Sequence, residues 1–485
     1  MDYLTRTEIH VIPYPKEILG WGEDGVFSLS TLRCVINSEH EAFATAASVF
    51  AGYVKTLYGI ELEIGLTHDG INLLYDESLD EGEYRLTSSG GSAVIYAADT
   101  MGTNYALSTL LQLLVCENGA LLLPTLKIND APDVDYRGLM VDLARVWHPF
   151  ETLLNYADLC WIYKIHYLHL HFVDSQSYTL PSDIFPKMLI AGRYYSKDQI
   201  AELNEYVSAR GIEIIPEIEV PGHARIQVVS YPELFANTPP ADSTDGYVDP
   251  EIICAGKPGI MDTLSQMASE VMALFPHSRY FHIGGDEAKH SRWTICPACI
   301  EYMKEHGIDS VYGLYSDFVK RMTDVILELG RTPIVWEGFP REGADKLSRD
   351  VVVGVFESYY HLPNDLVEEG FRVINCAWQP LYIAGDLYWS VNEILAWNTY
   401  NWQSCWKKSP AHANPIQLEK SEMVLGAQIC SWERGYDFDI GIITDNLAAL
   451  SERTWNTERV VSAEDFHKAL NRVRRIVRKI LEKRA

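Results

Sequence analysis

Two adjacent carboxylates, Asp286 and Glu287, close the apolar run Phe281-His282-Ile283-Gly284-Gly285 and precede Ala288. Like charges side by side cost free energy unless a site makes use of them. On an extended segment successive side chains point to opposite sides, which would aim the two carboxyls at different parts of a site. If burial keeps one protonated while its neighbour stays ionised, the pair is equipped for acid chemistry on an acetal. Taken alone, such a pair more often marks a strand that ends in a solvated acidic turn. The other strand ends decide between the two readings.

Eight strand candidates follow residue 131: Gly138–Asp142, Tyr167–Val173, Glu213–Glu217, Tyr280–Gly284, Pro333–Trp336, Val351–Phe356, Arg372–Ala377 and Val424–Trp432. Most are continuous apolar runs, the pattern of strands buried on both faces. Helical stretches separate several of them. One opens at Ser196 with Gln199 three residues on, a capping-box signature, carries Ile200, Leu203, Tyr206 and Val207 as its stripe, and ends at Gly211. Eight strand–helix units over about 320 residues predict an α/β chain with a (β/α)8 TIM barrel, whose site lies at the strand C-termini. Those ends carry Asp142/Arg145, Asp174, Glu217/His223, Asp286/Glu287, Trp336/Glu337, Glu357, Trp378/Tyr382 and Trp432/Glu433.

Residues 1–130 read as a smaller α+β domain, with strand-like runs at 34–36, 71–74 and 93–96 and a helix over 101–115. The polar, proline-bearing stretch 128–133 marks the boundary with a barrel spanning 131–460. Residues 461–485 form a terminal helix with Phe466, Leu470, Val473, Val477 and Ile480 on one face. The opposite face is basic (Arg472, Arg474, Arg475, Arg478, Lys479, Lys483, Arg484). A helix docked on the barrel with a solvated basic face is expected rather than a membrane anchor.

The 485 residues are 47% apolar and 11% aromatic, including 12 tryptophans and 28 tyrosines, enough for large cores and for flat rings that suit sugar faces. A net charge of −27 argues against nucleic acid or an anionic membrane as partner. No apolar run reaches the roughly 18–20 residues of a membrane span, and Met1-Asp2-Tyr3-Leu4-Thr5-Arg6 lacks the pattern of a signal segment. Nine scattered cysteines, several in apolar runs (Cys160, Cys376, Cys430), suit a reducing, cytoplasmic setting. Cys296-Pro297-Ala298-Cys299 lacks a visible second ligand pair, so free thiols or a local disulfide are expected there rather than a metal, and no cofactor is expected.

The residues resemble glycoside hydrolase family 20, the β-N-acetylhexosaminidases, along nearly the whole chain. His282-Ile283-Gly284-Gly285-Asp286-Glu287-Ala288 looks like the family's signature. The stretch from Tyr136 to Arg145 looks like its first barrel strand, and that from Pro216 to Ala224 like its third. Gly82-Glu83-Tyr84-Arg85-Leu86 and Ala106 to Leu114 resemble the α+β domain that precedes its barrel. The resemblance implies retaining, exo-acting removal of a terminal GlcNAc or GalNAc from a small or oligosaccharide substrate. The substrate's own 2-acetamido oxygen would attack the anomeric carbon and form an oxazoline. Glu287 would be the general acid, then the base; Asp286 would stay ionised and hold the acetamido N–H. Tyr382 would donate to the acetamido oxygen, with Asp174 and His223 tuning the acid. Arg137 would grip the 3- and 4-hydroxyls, and Trp336, Trp378 and Trp432 would wall the acetamido pocket.

Four places depart from the family pattern: Ser175-Gln176-Ser177-Tyr178 after Asp174, Phe356 where strand six usually ends in tryptophan, Ile383-Ala384 after Tyr382, and the direct Trp432-Glu433 junction. Glu433 is the candidate for the 4- and 6-hydroxyls, and the choice of hexosamine stays open. Two other readings stand beside this one. The first is a barrel β-glycosidase using Glu217, Glu337 or Glu433 as nucleophile; the second is a non-catalytic sugar-binding homologue.

Overall fold

Each of the eight apolar runs forms a parallel strand: β1 (Tyr136–Asp142), β2 (Tyr167–His171), β3 (Glu213–Glu217), β4 (Tyr280–His282), β5 (Thr332–Trp336), β6 (Val352–Val355), β7 (Arg372–Asn375) and β8 (Val424–Trp432). They pair in chain order, and β1 returns to β8 with Gly138 opposite Gln428, so the sheet closes into a barrel. The computed structural model describes residues 9–19, 29–38, 40–65, 69–239, 249–459 and 461–482. Met1 to Arg6, Lys483 and Arg484 lie outside the described residues.

Two of the strands end in ways that matter for the site. β4 stops at His282 because Gly284 and Gly285 take φ of 68° and 95° and leave the extended region. After β7 a short turn (Trp378–Leu381) interrupts the chain, and Tyr382–Ala384 then pairs with the outer end of β8, Tyr382 opposite Cys430. β8 therefore serves β7 along its first half and carries Tyr382 along its second.

The helical layer is uneven. The helix Lys197–Ser208 begins at Ser196 with the reciprocal capping box that the sequence signals. Between β5 and β6, by contrast, the connection holds a single 3-10 turn, Ala344–Lys346. Inside the barrel an aromatic cluster (Tyr136, Tyr167, Tyr280, Trp336, Phe356, Tyr382) fills the space between strands, separate from the aliphatic core under the helices.

The preceding domain is a seven-stranded mixed sheet with the helices Glu41–Tyr58 and Thr100–Leu113. Thr100–Leu113 is buried from Gly102 onward because it packs on both its own sheet and the barrel helix Phe150–Ile162. The Ser108 hydroxyl and the Gln112 amide both donate to the Ile162 carbonyl (2.8 and 3.0 Å). The terminal helix, Ala463–Leu481, packs against Phe150–Ile162, Tyr436–Trp455 and the first domain's Glu41–Tyr58. It thus docks on both units and not on the barrel alone. Its basic side is also less solvated than expected: Arg472 donates to the carbonyls of Gln112 and Leu114, and Arg474 pairs with Asp445 (2.6 Å).

Candidate active site

The ends of β1, β2, β3 and β4 converge on one charged line. His223, in the turn after β3, places Nδ1 3.5 Å from Asp174 and Nε2 3.5 Å from Glu287. Asp174 is held from its other side by His171 (3.1 Å) and Arg145 (2.8 Å). Burial resists charge on Asp174, but the hydrogen bonds from His171 and His223 outweigh it and keep this carboxyl well below the usual range. Burial likewise opposes charge on His223, yet its bonds to Asp174 and Glu287 carry its pKa up to about 10. His223 (φ 48°) and Glu287 (φ 45°) both occupy left-handed backbone that side chains rarely adopt, which marks a site under positional demand.

Asp286 and Glu287 diverge because of that left-handed backbone and not because of strand alternation, since β4 has already ended. Their environments differ sharply. The Glu287 side chain is 51% exposed, and its hydrogen bond with His223 holds its carboxyl below the usual range. Burial lifts Asp286 to about 6 against the pull of His223. Taken singly, the two acids are therefore ordered oppositely to the acid–base roles that the resemblance implies. His223 accounts for this: its contact with Glu287 favours the charged form of both partners, lowering the carboxyl and raising the imidazole.

Asp286 Oδ1 is buried and has no partner among the described residues. Its backbone sits in space that glycine provides. A Cβ on Gly338, two residues past Trp336, would lie 2.5 Å from Asp286 Cα. One on Gly284 would lie 1.9 Å from a Glu219 oxygen. Tyr315 closes the other side, donating its hydroxyl to the Gly285 carbonyl (2.6 Å).

A box of rings borders these acids. Trp432 lies 6.0 Å from Trp336 and 6.3 Å from Tyr382, centroid to centroid. Tyr382 stacks between Phe356 (6.2 Å) and Trp378 (5.9 Å). Phe356 thus joins the same wall in place of the tryptophan usual in the family. Trp378 keeps a buried indole N–H without a partner among the described residues.

Arg137 is not part of this site. It is the second residue of β1, at the opposite end of the barrel, 1% exposed and held between the rings of Tyr105 and Trp455 (5.3 Å to each). Its guanidinium donates to the carbonyls of Val134, Asp135 and Lys164 and to the Tyr105 hydroxyl. The arginine that reaches the site is Arg145, three residues beyond β1. It pairs with Asp142 (3.2 Å) and Asp174, approaches Glu433 (3.5 Å) and lies over Trp432 (5.1 Å). The signal that separates the two is strand direction, because only C-terminal ends face a barrel site. Glu433 itself stands at the rim, 64% exposed, with its N–H on Asp142 (3.2 Å).

Two buried carboxyls lie beside the site: Glu219, which the sequence reading does not pick out, and Glu357, which it names only as a strand end. Glu219 fills the slot left by Gly284, and burial together with the charges of Asp286 and Glu217 pushes its pKa well up. Glu357, at the end of β6, is raised to about 8 by burial and then by Glu337, Glu287 and Asp286. The signal for Glu219 is its place two residues past a buried strand; the signal for Glu357 is its strand end.

Comparison with known proteins identifies the family of the chain. Residues 134–458 match the glycosyl hydrolase family 20 catalytic domain, and residues 8–131 match domain 2 of the same family. The chain belongs to glycosyl hydrolase family 20. A β-hexosaminidase from Porphyromonas gingivalis is 27% identical over 521 residues, covering 96% of this chain and 62% of that protein. The chain thus spans about three fifths of that relative's length. A family 20 exo-β-N-acetylglucosaminidase from Vibrio harveyi, solved with N-acetylglucosamine, superposes with a TM-score of 0.80 at 22% identity, covering 98% of this chain and 78% of that one. A β-N-acetylhexosaminidase from Bacteroides fragilis gives 0.79 at 22% identity, covering 97% and 96%. At that identity the superpositions speak for the fold.

Proposed function

We propose that this chain is an exo-acting, retaining β-N-acetylhexosaminidase that works through its substrate's 2-acetamido group. The observation that carries the reading is the buried, unpartnered Oδ1 of Asp286 beside an aromatic box and the Glu287–His223–Asp174 line. An acetamido group presents one N–H, one carbonyl oxygen and a methyl. Asp286 is the acceptor for the N–H, the Tyr382 hydroxyl the donor to the oxygen, and the rings of Trp336, Phe356, Trp378 and Trp432 are the dry wall for the methyl. Held this way, the oxygen attacks the anomeric carbon, and the ionised Asp286 balances the charge of the closing oxazolinium ring.

Proton delivery is the work of the Glu287–His223 pair. As the glycosidic oxygen gains charge, one proton moves from His223 Nε2 through Glu287 to that oxygen, which leaves His223 neutral and still anchored to Asp174 through Nδ1. On the return step the pair takes a proton from the water that opens the oxazoline. The rival scheme with a protein nucleophile finds little support. Glu217 is sealed inside the barrel, accepting from His171 and Trp336 (both 2.6 Å). Glu337 is buried and occupied by the N–H groups of Ser358, Tyr359 and Tyr360 (2.6–2.8 Å). Glu433 sits exposed at the rim next to Arg145.

Paired aryl β-GlcNAc, β-GalNAc and β-glucoside hydrolysis tests the proposal. Turnover is expected on one or both acetamido sugars and not on the glucoside. Asp286→Asn is expected to lose about 10²–10³-fold in kcat, the scale of removing one group that stabilises transition-state charge. A thiazoline analogue should inhibit the wild type. Glucoside turnover that survives Asp286→Asn would overturn the assisted mechanism.

A further inference from the structure

We infer that Cys254, Cys296 and Cys299 form a structural site for a thiophilic divalent cation, zinc first. The sequence shows only the Cys296-Pro297-Ala298-Cys299 pair. The fold brings a third thiol from 42 residues upstream, with Cys254 Sγ 3.6 Å from both Cys296 Sγ and Cys299 Sγ. All three sulfurs lie within 4.8 Å of one another, and all three residues are buried. None is in a disulfide. A zinc–sulfur bond of about 2.3 Å places neighbouring ligands of a tetrahedron about 3.8 Å apart, so the observed triangle already has the size of one tetrahedral face.

The surroundings are built for this approach. Gly256 lets the Cys254 segment close on the helix Pro297–His306: a Cβ there would lie 2.4 Å from the Ala298 carbonyl and 2.6 Å from Cys299 Cα. On the same side of the fold, Cys254 donates its N–H to Phe235 (2.9 Å), and nearby Asn237 donates to Ile252 (2.9 Å). Asn237 keeps a buried Oδ1 with no partner among the described residues. Three thiolates leave one coordination position, which an oxygen donor, this amide or water, completes. Binding the ion releases the three thiol protons to solvent and changes no oxidation state.

The site joins the two segments that carry the proposed proton pair. Beside His223, the Ile253 N–H, one residue before Cys254, donates to the Pro221 carbonyl (2.9 Å). The Glu287 segment runs on to Cys296, with the Trp293 indole donating to the Ile253 carbonyl (2.9 Å). A metal clamp at the three cysteines would hold His223 and Glu287 at their spacing without touching substrate. The inference rests on the thiol geometry and stands whether or not the proposed hydrolysis is correct.

The test is metal content of the full chain purified without chelators, by plasma mass spectrometry. About one zinc per chain is expected in the wild type and in Cys405→Ser, and loss of it in Cys254→Ser and Cys299→Ser. Replacement of zinc by Co²⁺ should give a thiolate-to-cobalt charge-transfer band, and stripping the metal should lower Tm. Should the serine variants fail to fold, the wild-type zinc content and the cobalt band still decide. Metal-free wild type that does not take up added Zn²⁺ would overturn the inference. So would a disulfide among the three cysteines in non-reducing peptide mapping, or equal metal retention in the serine variants.

Discussion

Arg137 and Arg145 have the same side chain eight residues apart, and the structure gives them opposite work. Arg137 satisfies three carbonyls and a hydroxyl at the closed end of the barrel. Arg137→Ala is expected to cost about 2–4 kcal/mol in chemical denaturation, because buried acceptors lose their donor, while the KM of the folded fraction stays put. Arg145→Ala should instead depress activity with a smaller loss of stability, since Arg145 braces Asp174 and borders Trp432 at the open end. The charges predict a pH profile as well. In the proposed mechanism Asp286 works ionised, and its pKa is raised to about 6, so kcat/KM should fall as pH drops through about 6. In the same proposal His223 supplies the proton, and its pKa is raised to about 10, so the alkaline limb should lie well above neutral pH. In His223→Ala the proton reserve is gone and Glu287 returns toward an ordinary carboxyl. The alkaline limb should then move down by several pH units, which a pH–rate series on an aryl β-GlcNAc reads directly.

At the level of elements, the site depends on where strands stop. β4 ends two residues before Gly284 because that position has positive φ and leaves room for Glu219. A methyl at Gly284 would meet both a strained backbone and a carboxyl oxygen. Gly284→Ala is therefore expected to cost about 2–4 kcal/mol and to displace Asp286, seen as lower Tm together with lower kcat. Tyr382 shows the reverse dependence: a strand fragment that begins after the Trp378–Leu381 turn and leans on β8 at Cys430. The barrel strands were legible from the sequence because burial on both faces makes each a continuous apolar run. The break after β7, the helix-free β5–β6 connection and the left-handed Glu287 were not legible, because they answer to packing and not to local composition.

At the scale of the whole molecule, the terminal helix adds a second tie between the first domain and the barrel. The helix Ala463–Leu481 lays Phe466, Leu470, Val473, Val477 and Ile480 against both the first domain and the barrel. Leu470 is completely buried there, and Leu470→Ala should destabilise by about 2–5 kcal/mol. Arg472 caps the carbonyl end of Thr100–Leu113, so Arg472→Ala should loosen the first domain in particular. Hydrogen exchange that quickens in Thr100–Leu113 and not in β1–β4 would bear that out. Equal quickening across both would count against it.

The amino-acid sequence by itself determined the (β/α)8 fold, its eight apolar strands, the preceding α+β unit and the family, since these follow from periodicity and contiguous motifs. Tertiary structure alone decided which arginine faces the site, how Glu287, His223 and Asp174 line up, and that Cys254 lies against Cys296 and Cys299. Each of those is a distance between residues far apart in the chain or a direction along a strand. Neither is set by neighbours in sequence; both appear only when closing the barrel brings separate strand ends within a few ångströms.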